Sequence, residues 1–176
     1  AVSYLNKFSK ILREVLKHSE SKEYSLQAEI DTLKLYMNLE NIRFETPIHF
    51  TIENEQDLNL SQFRIPPLLL QPFLENSIWH GLSLRKGIKN LIVRIRQENE
   101  DHILIEVEDN GIGREAAMEI KSKKVFQRES LGLKLSSDRL KLFAQQRQHD
   151  HSMEIIDLHQ SGEPSGTLIR LEVPIH

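Results

Sequence analysis

The sequence predicts an α+β protein in which two amphipathic helices precede a region of mixed strands and helices. Three observations carry this prediction. Apolar residues recur at the helical period through the first 46 residues. Apolar and polar residues alternate in Leu91–Arg96 and again in Ile103–Glu108, a pattern typical of a strand hairpin with one wet face. A further helical period covers Gln71–Gly81, ahead of that hairpin.

Two helices are predicted at the N-terminus. Val2–His18 places Leu5, Phe8, Leu12, Val15 and Leu16 on one face. After a polar turn, Ser25 is a suitable cap for a second helix, Leu26–Phe44, and Pro47 ends the helical region. The second helix is apolar on two sides and therefore needs two partners. The first helix can cover one side, and the remainder of the chain or a second copy can cover the other. Burial of this helix in a single core is the equal alternative.

The central elements follow in order. Ile48–Ile52 alternates and is predicted to be a strand, and Ser61–Ile65 a short strand after a polar loop. Pro67 suits the first turn of the next helix, where a backbone N–H has no partner. A buried stripe is expected from Leu74 and Ile78 of Gln71–Gly81 together with Leu70, the residue before this range.

The C-terminal half alternates between polar and periodic segments. Arg114–Glu129 is polar and is predicted to be a loop. Leu131–Gln146 is predicted to be helical, with Leu135, Leu140 and Phe143 in the core. Met153–Leu158 and Thr167–Val173 are predicted to be the last two strands.

Composition limits the classes of function. The 176 residues suffice for one substantial domain or a small one with an extension. The 23 basic and 26 acidic residues give a net charge of −3, which argues against a general nucleic-acid binder. No cysteine is present, which excludes thiolate metal sites and disulfides. No apolar run approaches the roughly 20 residues needed to span a bilayer. The first residue is Ala1, so we expect a piece of a longer chain.

Three short motifs carry polar or glycine residues in a suggestive order. In the helix Gln71–Gly81, Asn76 and His80 are four residues apart and share a face, with Glu75 beside them. Alone, this pattern is more typical of an ordinary amphipathic helix. However, a strand then leads into Asp109–Gly113, D-N-G-I-G, whose two glycines permit close approach of a ligand. Ser130–Leu133 follows at a predicted helix start, where free N–H groups suit phosphate oxygens.

These motifs, in this order, resemble the nucleotide-binding boxes of the Bergerat-fold ATPases, a superfamily that includes gyrase B, MutL, heat-shock chaperone ATPases and histidine kinases. Leu12–Leu16, Ser25–Glu29, Tyr36-Met37 and Arg43-Phe44 resemble the helical lead-in of LytS-like sensor histidine kinases. The resemblance implies a two-layer α/β sandwich, with a mixed sheet covered by helices on one face, after a helical hairpin remnant. It divides the chain into a helical segment, residues 1–46, and an ATP-binding domain, residues 47–176.

The resemblance also implies roles for particular residues. Asn76 would bind Mg²⁺, and Asp109 would accept a hydrogen bond from the adenine amino group. Glu75 is expected to orient Mg²⁺-bound water or tune the acceptor. Gly111 and Gly113 are expected to contact the base, and His80, Gly132 and Leu133 the phosphates. Thr167 is expected to support Asp109, although an ordinary strand threonine is nearly as good an interpretation.

Several departures from the family pattern qualify these expectations. The phosphoacceptor segment P-H-F-L-F-N is absent, so the acceptor histidine is expected upstream of Ala1. Trp79 replaces the usual lysine. The resemblance implies that residues 114–129 form a mobile lid over the nucleotide, and the lysines of this lid, or His80, would have to compensate. The later glycine box carries Ser130 and Leu135 where the family has glycine and asparagine. Weaker ATP binding is therefore expected.

The expected function is the ATP-binding core of a two-component sensor histidine kinase. ATP would phosphorylate an upstream histidine, and an aspartate of a response regulator would then take the phosphoryl group. The family implies a dimeric, membrane-anchored parent with this part in the cytoplasm. Pro72 stands where hydrolysing relatives have their base, which argues against the first rival, a Bergerat-fold ATPase clamp. The second rival is a degenerate module that binds partners or ATP without transfer.

Overall fold

The computed structural model describes residues 24–120 and 123–175, so the helix predicted at Val2–His18 lies outside the described residues. Two helices and three strands come first: β1 (Tyr24–Ser25), α1 (Leu26–Glu40), β2 (Ile48–Asn54), β3 (Arg64–Ile65) and α2 (Gln71–Asn76), which continues as a wider π-helical turn, Ser77–Leu82. The second half contains β4 (Lys89–Gln97), β5 (His102–Asp109), α3 (Arg114–Ile120), α4 (Lys123–Arg147), β6 (Ser152–Gln160) and β7 (Glu163–Pro174). No helix in these ranges is both long and apolar enough to cross a membrane.

The main sheet has five strands in the order β2-β4-β5-β7-β6. Strand β2 pairs in parallel with β4, whereas the other three pairs are antiparallel. Strands β1 and β3 form a separate two-stranded sheet. Strand β3 is the end of the predicted strand Ser61–Ile65, whereas β1 was not predicted, because two residues are too short for a periodic signal. The mixed sheet and its helices confirm the predicted fold class.

One face of the sheet carries the hydrophobic core. Alternate residues of β4, β5 and β7 pack there against α1, α2 and α4, and the buried set includes Leu26, Ile30, Leu33, Met37, Leu74, Ile78, Val93, Ile105, Leu140 and Leu171. On the opposite face, Arg94 forms ion pairs with Glu53 and Glu108, and Arg170 pairs with Glu106. One apolar side of α1, formed by Leu26, Ile30, Leu33 and Met37, lies in the same core as the sheet.

Helix α1 begins as predicted but ends earlier. The Ser25 side chain accepts a hydrogen bond from the Ala28 N–H at 3.2 Å, which confirms the cap. The helix ends at Glu40 and a 3₁₀ turn follows, because the Asn41 side chain makes two hydrogen bonds with the backbone of Ile48. Its Oδ1 accepts from the Ile48 N–H at 2.8 Å, and its Nδ2 donates to the Ile48 carbonyl oxygen at 3.0 Å. The prediction that the helix continues to residue 44 was wrong.

Helix α2 is present where its period predicted it, with a different first turn. Leu68 has a φ of 56°, which is incompatible with a helix there, so Pro67 does not belong to the helix. Pro72 instead occupies an early helical position. The α-helical geometry changes at Ser77 into a π-helical turn, a feature frequent at functional sites.

The segment predicted as a polar loop is helical. Helix α3 covers Arg114–Ile120, and α4 begins at Lys123 rather than at Leu131. Ser130–Leu133, which were predicted to stand at a helix start, therefore lie inside a 25-residue helix. Leu140 and Phe143 are buried as predicted, but Leu135 is 50% exposed and is not a core residue.

Candidate functional site

A buried carboxylate lies at the end of β5. Asp109 is 2% exposed, and its Oδ1 accepts a hydrogen bond from the Gly111 N–H at 2.8 Å. The Ser77 hydroxyl and the Thr167 N–H also donate to this carboxylate. Thr167 lies directly opposite Asp109 in the β5–β7 register. Donors from three elements thus hold one carboxylate at the sheet edge.

Burial dominates the charge state of this group. It raises the pKa of Asp109 from 3.8 to about 6, while the three hydrogen bonds act in the opposite direction. The carboxylate is therefore ionised at neutral pH, and it is poised to accept further hydrogen bonds in a site of low polarity.

Glycines allow the backbone of α2 to approach this carboxylate. A methyl group on Gly111 would lie 2.3 Å from the Gly81 Cα, and one on Gly81 would lie 2.8 Å from the Asp109 Oδ1. On β7, a methyl group on Gly166 would lie 1.9 Å from the Asp109 carbonyl oxygen. Only glycine fits these positions, so the helix end, the turn and β7 meet around Asp109 without intervening side chains.

Asn76 lies one residue before Ser77, whose hydroxyl contacts Asp109. Its side chain is half-buried, and in the described part of the chain it makes no hydrogen bond. Because successive helical residues are about 100° apart, Asn76 occupies the helix face next to the one that meets Asp109. The two residues predicted to hold opposite ends of a nucleotide therefore border the same region.

The other polar residues of α2 have different surroundings. Glu75 accepts a hydrogen bond from the Gln71 Nε2 at 2.8 Å and lies near α1, where its charge helps burial to raise the pKa of Tyr36. His80 is nine-tenths buried. Glu75 thus faces α1, whereas His80 shares the face of Asn76 by its spacing.

The remaining predicted contacts lie in the turn after β5 and in α4. Gly113 has a φ of 79° and packs against Pro164. Gly132 and Leu133 are in the interior of α4, so the prediction that they stand at a helix start with free N–H groups was wrong. In a continuous helix each N–H binds the carbonyl four residues earlier. Their contact with phosphate remains a prediction that requires this turn to open.

Two features of the site were not predicted from the sequence. Ser77 carries a local signal, since it is four residues before Gly81 and shares its helix face. The second feature is a stacked pair, in which the Arg43 guanidinium lies 4.9 Å from the Trp79 ring centroid. No sequence signal joins Arg43 to Trp79, because they are distant in the chain. The pair places a positive charge against the ring of Trp79.

Two surface cavities lie elsewhere. One is bordered by the turn before α2 and the second half of α4, including Pro67 and Phe143. The other lies between α1 and β2, near Asn38 and Phe50. Among the described residues that line these two cavities, neither Asn76 nor Asp109 occurs.

Comparisons with known proteins point to one family. The Histidine kinase family model matches residues 1–48. The sensor histidine kinase BtsS of Escherichia coli (strain K12) is 34% identical over 109 residues, which are 62% of this chain and 18% of BtsS. The sensor histidine kinase/phosphatase LytS of Staphylococcus aureus (strain Mu50 / ATCC 700699) is 30% identical over 109 residues, with the same coverage. The chain thus spans less than a fifth of the length of these kinases.

Solved structures agree with the fold. The histidine kinase domain of the Erythrobacter litoralis EL346 blue-light activated kinase superposes with a TM-score of 0.61 at 14% identity, covering 98% of this chain and 75% of that one. The catalytic domain of the histidine kinase ThkA superposes with a TM-score of 0.54 at 15% identity, covering 87% and 95%. ShkA, solved in complex with AMPPNP, has a TM-score of 0.58 at 14% identity, covering 98% and 35%.

The chain is therefore similar in sequence to LytS-like sensor histidine kinases, and its fold is that of histidine kinase catalytic domains.

Proposed function

We propose that this chain binds Mg·ATP and transfers its γ-phosphoryl group to a histidine outside the 176 residues, from which an aspartate of a response regulator takes it. The observation that supports this most strongly is the placement of Asp109 and Asn76. A buried, hydrogen-bonded carboxylate and a half-buried amide with no described partner border one region, held together by Ser77 and the glycines.

Asp109 would recognise adenine. An ionised carboxylate accepts hydrogen bonds, and the exocyclic amino group of adenine donates them. Gly81 and Gly111 keep side chains away from this edge, so a flat base can approach the backbone. Gly113, in the same turn, would contribute to the same approach.

Asn76 would hold the metal. Its amide oxygen is a hard ligand suited to Mg²⁺, which is usually bound by few protein groups together with substrate phosphates and water. When bound, Mg²⁺ would neutralise phosphate charge and orient the γ-phosphoryl group. Arg43 adds a positive charge beside Trp79, and we propose that it partly replaces the lysine of the family pattern.

The geometry supports transfer rather than hydrolysis. Pro72 cannot act as a base, and Glu75 is hydrogen-bonded to Gln71 on the side of α1. Imidazole needs no strong base, since a ring nitrogen is itself the nucleophile. The P–N bond forms as the bond to the ADP oxygen breaks, ADP leaves, and the imidazole proton is released. Phosphoryl transfer then depends mainly on positioning and charge.

The rest of this proposal concerns the full-length kinase to which the chain would belong. We propose that residues 1–46 are part of the dimerisation and phosphoacceptor helices, and that residues 47–176 are the catalytic domain. The full kinase would be a homodimer with a response regulator as partner. It would be anchored in the inner or plasma membrane through segments outside this chain, with this part in the cytoplasm.

The test is acid-labile labelling. The kinase that carries both its acceptor histidine and this domain is incubated with γ-labelled ATP and Mg²⁺. We expect a label that is stable in base, is lost in acid and passes to a response regulator. Steady release of phosphate without label would instead support the ATPase clamp.

A second function is favoured by one observation. Gly132 and Leu133 lie within a continuous helix, where their N–H groups are engaged by the helix itself. A domain fixed in that state would bind ATP weakly or serve as an interaction module without transfer. Absence of label from a folded kinase would support this function.

Replacing Gly132 by alanine is expected to move stability and ATP binding in opposite directions. A glycine in a helix interior costs up to about 1 kcal/mol relative to alanine, and nothing lies within 4 Å of an added methyl group. The melting temperature should therefore rise. If Gly132 must leave the helix to contact phosphate, ATP affinity should fall. Calorimetry and nucleotide titration measure both, and an ATP affinity unchanged in the stabilised variant would contradict the phosphate contact.

A further inference from the structure

A buried carboxylate of α1 holds the beginning of α2. Glu29 is 1% exposed, and its two carboxylate oxygens accept hydrogen bonds from the Leu70 N–H at 2.8 Å and the Leu68 N–H at 3.1 Å. The Gln71 N–H also donates to it. One side chain in the first turn of α1 therefore binds three backbone groups located about 40 residues further along the chain.

Helix α2 has no cap of its own. The N-cap position is Leu70, whose side chain cannot accept a hydrogen bond, and the backbone before it is turned away from the helix at Leu68. The first N–H groups of a helix have no partner within it. Glu29 supplies from another element what a serine or aspartate would normally supply locally.

Arg139 of α4 meets the same junction. Its guanidinium donates to the carbonyl oxygens of Pro67 and Leu68 at 3.4 and 3.5 Å, and its charge favours the ionised form of Glu29. Burial acts more strongly and raises the pKa of Glu29 to about 7. An apolar residue here would avoid the cost of burying a carboxyl group, but it would leave the three backbone N–H groups without this acceptor.

The hydrogen bonds of Glu29 connect α1 with the helix that carries Asn76. Asn76 lies on the helix whose first turn Glu29 binds, and α1 lies in the region that matches the family model. A shift of α1 would therefore be transmitted to α2 through the directional hydrogen bonds of Glu29, in addition to the packing of the shared core.

We propose that Glu29 is a positioning residue, which fixes the first turn of α2 against α1 and thereby sets the place of the Asn76 amide relative to bound phosphates. This inference rests on the proposed role of Asn76 as the Mg²⁺ ligand. It predicts a specific defect, since the phosphate end of the site would be displaced while the adenine end, held by Asp109, would be retained.

The test compares Glu29→Gln with Thr32→Val. Thr32 is also buried in α1, but its hydroxyl donates only to the Ala28 carbonyl of the same helix, at 2.9 Å, so this variant perturbs α1 without touching α2. ATP affinity is measured with and without Mg²⁺ at a temperature where every variant is folded. Hydrogen exchange of residues 71–82 is measured in parallel without nucleotide.

For Glu29→Gln we expect the Mg²⁺-dependent gain in ATP affinity to fall by about tenfold, with faster exchange in residues 71–82 and little change in Mg²⁺-free affinity. Thr32→Val should leave all three unchanged relative to the parent. The positioning role would be overturned if Glu29→Gln and Thr32→Val showed the same Mg²⁺-dependent gain in ATP affinity and the same hydrogen exchange in residues 71–82. If the unaltered chain binds no ATP, the proposed function fails, and the exchange comparison still decides the role of Glu29.

A second variant guards against loss of folding. If Glu29→Gln does not fold, Arg139→Met weakens the same junction from an exposed position. It should shift both readouts in the same direction by a smaller factor, and the absence of either shift would count against the inference.

Discussion

Replacing Asn76 by alanine is expected to abolish phosphoryl transfer while leaving the fold intact. The Asn76 side chain is half-buried and makes no described hydrogen bond, so its removal leaves no buried group without a partner. Loss of a residue that hydrogen-bonds to a metal ligand typically lowers metal affinity or activity by about 10- to 100-fold, and loss of the ligand itself should cost at least as much. We therefore expect the rate of autophosphorylation to fall by about a hundredfold or more.

The matched control is Asn38→Ala, which removes an exposed asparagine from α1. Labelling rates and thermal unfolding are measured for both variants. Asn38→Ala should retain the parent rate, and the two variants should melt within a few degrees of the parent. A kinase that labels normally without the Asn76 amide would exclude this residue as the metal ligand.

The second large effect is expected for Asp109→Asn. The substitution keeps the shape, but an amide would present N–H groups toward donors such as the Ser77 hydroxyl and the Gly111 N–H. Hydrogen bonds to charged groups contribute roughly 1.5–3 kcal/mol. ATP affinity should therefore fall by roughly 10- to 100-fold, and Asp101→Asn, at an exposed turn, should leave it unchanged.

The pH dependence of Asp109 gives a second readout. Burial raises its pKa from 3.8 in the unfolded chain to about 6, so between these values the folded protein binds more protons. This group's contribution to the free energy of unfolding is fully present below about pH 4 and is lost as pH rises through about 6. ATP affinity should change in the opposite direction, because the ionised carboxylate is the better acceptor for adenine.

Asp109→Asn should flatten both of these dependences between pH 4 and 7. Urea unfolding and nucleotide titration across this range measure them. An unchanged pH profile of ATP affinity in the variant would show that another group controls it, and would remove Asp109 from the adenine end.

Local patterns predicted the elements that are periodic and well separated. The stripe in α2 placed Leu74 and Ile78 in the core, and alternation placed β4 and β5 in a hairpin, because each pattern reports a single buried face. The Ser25 cap could be predicted because its hydrogen bond joins residues only three positions apart. These signals are short in sequence and need no knowledge of partners.

Boundaries inside polar segments could not be predicted in this way. Ser130 and Gly132 resemble a helix start, yet α4 continues through them, because helix propagation gains a hydrogen bond with each added residue and outweighs one glycine. Leu135 fits the apolar period but is exposed, since period alone does not say which face meets the core.

The candidate site was only partly predictable. Asn76 and Asp109 were recognised through a resemblance, and the structure shows that Ser77 connects them. Glu29 gave no local signal, because its partners Leu68 and Leu70 contribute only backbone N–H groups. Long-range contacts to backbone leave no trace in a single sequence.

A crystal structure with Mg²⁺ and a non-hydrolysable ATP analogue tests the central claim most directly. We expect the adenine amino group about 3 Å from the Asp109 carboxylate, and Mg²⁺ about 2.1 Å from the Asn76 amide oxygen. A nucleotide bound on another surface, or an adenine turned away from Asp109, would contradict the account.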